Sequence, residues 1–140
     1  VVGVLLLLSA FPSGYLADRF DRRLLVGVAG LIAAVGMVVI LFSSSVTGVM
    51  VAGCFIGVAT GLFFTVNWAL GTDLVPPEEA GRFLGISNLA GAGAGIVASG
   101  LGGPLADYFN RASVGLGYRV VFAIFGVCFL LSAVTLTRVR

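Results

Sequence analysis

Residues 13–23 read SGYLADRFDRR, and residues 102–112 read GGPLADYFNRA. In both, a Gly precedes Leu-Ala-Asp, and an aromatic residue and an Arg follow. The first copy clusters Arg19, Arg22 and Arg23, whereas the second has only Arg111 in the same span. Cytoplasmic loops of membrane proteins collect Arg and Lys, so the imbalance bears on which side of a membrane each copy faces.

The rest of the composition makes a membrane the right setting. The chain is 59% hydrophobic and 10% charged, with a mean hydropathy of +1.16, against roughly 25% charged residues in soluble domains. Stretches 1–17, 24–72, 83–106 and 120–137 carry no charge at all. A bilayer core about 30 Å thick takes about 20 apolar residues per helix, so the run 24–72 must fold back once. Ser43 to Gly48 supplies the polar turn. The expectation is an all-α, multi-pass transmembrane bundle of five helices, at about 1–17, 24–42, 48–71, 78–106 and 118–137, with 1–140 forming one partial domain.

Several function classes lose support. All eight basic residues are Arg and they sit at span ends instead of along a groove, which gives no basis for a nucleic-acid partner. There is no His, no acid in the interior of a span and no Ser beside a base, so no catalytic set, metal site or cofactor is expected. Cys54 and Cys128 fall inside spans and read as packing residues. The opening VVGVLLLLSA has no charged leader and reads as a fragment cut inside a helix. Six Arg residues (19, 22, 23, 82, 138, 140) against two (111, 119) place the first loop, the third loop and the C-terminus in the cytoplasm, in an inner or plasma membrane.

Patterns within the spans suggest roles. Asp18 or Asp21 can cap the second helix, in which Gly27, Gly30 and Ala33 or Ala34 recur for close contact. Gly53, Gly57 and Gly61 form a small-residue stripe along which another helix can approach. Thr60, Phe64, Asn67 and Gly71 then share a face of the same helix, with Phe63 and Trp68 beside it. The connection GTDLVPPEEAGR, residues 71–82, reads as a helix restart, with Pro at its first position and Glu78 and Glu79 at its positive end. The fourth helix is rich in small residues, with Gly91, Gly95, Ser99 and Gly103 repeating every four, for tight packing or for pliancy.

Gly14-Tyr15-Leu16-Ala17-Asp18-Arg19-Phe20-Asp21-Arg22-Arg23 resembles the cytoplasmic signature of the major facilitator superfamily, Gly-x-Leu-Ala-Asp-Arg-x-Gly-Arg-Arg, with Asp21 replacing the second Gly. That signature recurs in both halves of such transporters, and the four helices following it here imply helices eight to twelve. The resemblance implies a secondary transporter with a bilayer and a small-molecule substrate as partners, together with a missing N-terminal half. It also implies a conformational latch at Gly14, Asp18, Arg19, Arg22 and Arg23, in which the Asp18 carboxylate engages neighbouring Arg groups and a helix end in the other half. The plainer reading of Asp18 is a helix cap. The stretch from Asp73 to Leu89 is similar to the corresponding connection in the glycoside and disaccharide cation-symporter branch.

In such carriers substrate binds near the midplane, and the third helix here would correspond to the cavity-lining tenth. Thr60, Phe64, Asn67, Trp68 and, in the fourth helix, Asn88 are the candidates, because hydroxyl, amide and aromatic faces suit sugar-like ligands. Interhelical hydrogen bonding by the two Asn residues and interfacial anchoring by Trp68 are the competing readings. Coupling carboxylates lie elsewhere, or the carrier is a facilitator. Drug or metabolite efflux, and a non-transporting assembly or receptor protein of the same fold, remain the alternative functions.

Overall fold

In the computed structural model, which describes residues 1–136, five α-helices follow one another: α1 (Val2–Arg19), α2 (Arg22–Phe42), α3 (Val46–Leu74), α4 (Ala80–Asn110) and α5 (Leu116–Leu136), with a 3-10 turn at Pro77–Glu79. The described residues hold helices and turns alone, so the chain is all-α. Four of these helices, α2 to α5, are long and apolar enough to cross a membrane. The segment α1 is shorter and carries Pro12, Ser13, Asp18 and Arg19 within its eighteen residues.

Each boundary has a local cause. Of the two candidate caps for α2, the structure uses Asp21, whose side chain accepts from the Arg23 amide at 2.8 Å. Asp18 instead lies one turn earlier, in the last turn of α1. The Ser-rich turn is where it was expected, but α3 starts two residues sooner, because the Ser45 hydroxyl accepts from the Gly48 amide at 3.1 Å. The restart before α4 begins as the 3-10 turn, with Pro77 at its head. Glu79 precedes α4 without a side-chain cap bond, so the two Glu residues act by charge near the helix start. At their C-terminal ends α1, α3 and α4 run past the expected apolar limits, which brings Asp18, Asp73 and Asp107 into their last turns.

The chain divides into two units. The first runs from Val1 to Leu70 and resumes at Phe122. Its core gathers Ala17 from α1, Leu25, Val26 and Ala29 from α2, and Leu62 and Val66 from α3. The expected glycine stripe on α3 is used: a Cβ at Gly57 would come within 2.7 Å of the Val2 carbonyl oxygen, and one at Gly61 within 2.6 Å of that of Leu6. Backbone therefore meets backbone between α1 and α3. On α2 the small residues divide. Gly30 faces the Phe129 carbonyl and Ala133 of α5, and Gly36 faces Ala52, Phe55 and Ile56 of α3, but Gly27 has nothing within 4 Å. The other side of α2 is an exposed apolar stripe of Leu24, Val28, Leu31, Val35, Val38 and Phe42, which suits lipid.

The second unit, Gly71–Val121, contains α4 and the turn after it. Asn110 Oδ1 accepts from the Gly115 and Gly117 amides at 3.1 and 2.9 Å. Gly115 has φ +87°, a left-handed conformation that favours glycine. Gly117 packs directly on the Ala106 carbonyl. Within this unit α4 is exposed along almost its whole length, and Gly91, Gly95 and Gly103 meet nothing within 4 Å.

Each unit thus holds one copy of the repeated stretch. In both, the Ala of Leu-Ala-Asp is 6% exposed. The residue three beyond the Asp, Asp21 or Asn110, accepts hydrogen bonds from backbone amides at or near the start of the following helix. The likeness in sequence is therefore also a likeness of local structure.

Candidate functional site

Arg22 organises the turn between α1 and α2. Its Nε donates to the Ala17 carbonyl at 3.3 Å and its Nη1 to the Ala69 carbonyl at 2.8 Å, linking the last turn of α1 to α3. The hairpin folds this way because Phe20 is extended after α1 and Asp21 restarts the helix at once. Arg22 at the start of α2 is thereby turned back across the end of α1.

Gly14, Asp18, Arg19, Arg22 and Arg23 are all brought into this hairpin. Gly14 faces α3, where a Cβ would sit 4.0 Å from Thr65 Cγ2, an ordinary contact, so space alone does not demand glycine there. The Arg groups do not close around Asp18. Arg19 stacks on the Tyr15 ring, 4.4 Å from its centroid, because residues four apart on a helix lie one above the other. Arg22 is drawn to carbonyls, Arg23 is half-buried, and the Asp18 side chain is exposed at the end of α1.

α3 is continuous through this region, so Thr60, Phe64 and Asn67 share a face. Thr60 Oγ1 donates to the Ile56 carbonyl at 2.6 Å, which leaves its lone pairs for a second partner. Phe64 and Trp68 are about half exposed, at 52% and 50%. Phe63 and Phe64 meet edge to face at 5.9 Å. Ala59, Leu62 and Val66 on the same helix are buried, so α3 divides into a packed side and a more open side, on which Phe63, Phe64 and Trp68 are exposed and Thr60 and Asn67 are half-buried. Asn88 belongs to the second unit, where it is exposed on α4.

A depression of about 490 Å³ lies at the α2–α3 turn, lined by Val38, Phe42, Ser43, Ser45 and Gly48 among others. None of the candidate residues lines it. Among the described residues there is no group of three or more His, Cys, Asp or Glu that could hold a metal ion.

Sequence reasoning missed three participants. The Ala69 carbonyl is a main-chain acceptor and leaves no mark in a side-chain pattern. The Tyr15 and Arg19 stack could have been found from its i, i+4 spacing. Asn110 could have been found by laying the second copy over the first, where it occupies the place of Asp21.

A family model described as Major Facilitator Superfamily matches residues 1–140. Over 119 residues the chain is 26% identical to the multidrug resistance protein MdtG of Proteus mirabilis, covering 85% of this chain and 29% of that one. It is 26% identical over 118 residues to the minor myo-inositol transporter IolF of Bacillus subtilis, covering 82% and 25%. To an uncharacterized MFS-type transporter of Schizosaccharomyces pombe it is 32% identical over 125 residues, covering 88% and 25%. The chain thus spans about a quarter of the length of these relatives. No solved structure gives a significant match.

Proposed function

The chain belongs to the Major Facilitator Superfamily, a family of multi-pass membrane transporters, and from that premise we propose that α1 to α5 are helices eight to twelve of a secondary transporter. In this reading it moves a small solute by alternating access, with the α1–α2 turn, the α3–α4 turn and the C-terminus on the cytoplasmic side of the inner or plasma membrane. Arg138 and Arg140, which contribute to that orientation by charge, lie outside the described residues. An N-terminal half carrying its own helices completes the cavity.

The observation that carries a substrate class is the open side of α3. A hydroxyl at Thr60, an amide at Asn67 and the aromatic faces of Phe64 and Trp68 suit a polyol or sugar-like solute, whose apolar ring face stacks while its hydroxyls exchange hydrogen bonds. The relative named for myo-inositol transport is in keeping with this. Efflux of lipophilic compounds is the second reading, favoured by the exposed Phe63, Phe64 and Trp68 and by the relative named for multidrug resistance.

A flux assay on the full-length protein in proteoliposomes separates these. Radiolabelled myo-inositol and a hexose panel are compared with a lipophilic cation, each under an imposed pH or sodium gradient. Saturable polyol or sugar flux that drops about tenfold or more in Asn67→Ala and Trp68→Ala supports the first reading. Gradient-driven expulsion of the cation alone supports the second. Absence of any solute flux favours the non-transporting assembly or receptor role. In the first two outcomes, dependence on pH, sodium or neither identifies the coupling.

A further inference from the structure

We propose that α1 is a lever hinged at Pro12, whose N-terminal half pivots on the glycine track of α3 while its C-terminal half stays fixed. The two halves are held in different ways. After Pro12, α1 is interlocked: Leu16 and Ala17 pack with Leu25, Val26, Ala29, Leu62 and Val66, and Arg22 links the Ala17 and Ala69 carbonyls. Before Pro12, α1 rests on backbone. Gly57 lies against the Val2 carbonyl and Leu5, and Gly61 against the Leu6 carbonyl and the Ser9 hydroxyl. A glycine surface presents no side chain to be disengaged, so a helix can turn on it without leaving one packed groove for another.

The join between these halves falls at Pro12, inside the helix. Pro12 has no N–H to offer the Leu8 carbonyl, and its ring crowds that turn. Ser13 Oγ donates to the Ser9 carbonyl at 2.6 Å, and Ser9 Oγ to the Leu6 carbonyl at 3.1 Å. Hydroxyl bonds of this kind bend helices. Three perturbations within five residues therefore coincide with the border between interlocked and smooth packing, where a hinge absorbs rotation. The hinge is independent of the identity of the solute and of the direction of transport.

Distance measurements by pulsed electron resonance test it in the full-length protein in liposomes, with Cys54 and Cys128 replaced by Ser. Nitroxides at Val4 and Val38 report the N-terminal half of α1 against α2, and nitroxides at Phe20 and Val38 report its other end; all three positions are exposed. The expected result is a broad or two-component Val4/Val38 distribution that loses its second component or narrows in Pro12→Ala and regains it in Pro12→Gly. The Phe20/Val38 distribution stays narrow throughout. Gly61→Ala, which sets a methyl against the Leu6 carbonyl, shifts the Val4/Val38 distance and leaves Phe20/Val38 in place. A Val4/Val38 distribution indifferent to both substitutions, or one that changes together with Phe20/Val38, overturns the hinge. Because no solute enters this measurement, its failure is separate from a failure to find transport.

Discussion

Arg22 illustrates what a single residue can do when its neighbours in space are carbonyls. A charge-assisted hydrogen bond contributes about 1.5–3 kcal/mol, and the guanidinium reaches two acceptors on different helices, which an ammonium cannot do with the same geometry. Arg22→Ala is therefore expected to destabilise the protein by roughly that amount, with Arg22→Lys in between. Thermal unfolding in detergent reads both, and unchanged midpoints would remove the structural role assigned to Arg22. The caps are a second test at this scale. Asn110→Ala is expected to lose about 0.5–2 kcal/mol, whereas Asn110→Asp, which keeps Oδ1 as an acceptor, stays close to the parent. Gly115→Ala adds about 1–2 kcal/mol of left-handed strain to the same turn. For Asp18, the latch reading predicts that Asp18→Asn alters transport rate more than melting temperature, while a merely structural role predicts the reverse.

At the scale of elements, helix identity was legible because apolar runs of membrane length admit little else. The ends were less so. Hydropathy marks where charge begins, but a helix continues until its backbone is capped, and so α3 and α4 run past their charge-free segments. The glycines show the same division between pattern and partner. Gly27 and Gly61 look equivalent along the chain, yet the first faces open space and the second the backbone of α1. Accordingly, Gly27→Ala is expected to be neutral or stabilising by up to about 1 kcal/mol, the helix penalty of glycine. Gly61→Val should cost about 1–3 kcal/mol through overpacking. Equal effects of the two substitutions on thermal unfolding would contradict the packing described for α1 and α3.

For the molecule as a whole, topology is the property most open to direct test. An accessibility reporter inserted at residues 73–79 is expected on the cytoplasmic side and one at 110–117 on the opposite side, because two helices, α2 and α3, separate the first site from the Arg-rich α1–α2 turn and one helix, α4, separates the second site from the first; the reverse pattern would invert the orientation. Membrane class, helix number, family and charge bias followed from the sequence, since each depends on composition and spacing along the chain. The hairpin of Gly14, Asp18, Arg19, Arg22 and Arg23 was legible as a cluster for the same reason. Which atoms those residues meet was decided only in three dimensions: Asp21 instead of Asp18 as the cap, Tyr15 and two carbonyls instead of Asp18 as partners of Arg19 and Arg22. A side-chain pattern records what a residue can offer, but the main-chain acceptors, the glycine track under α1 and the border at Pro12 exist only once helices distant in sequence are packed together.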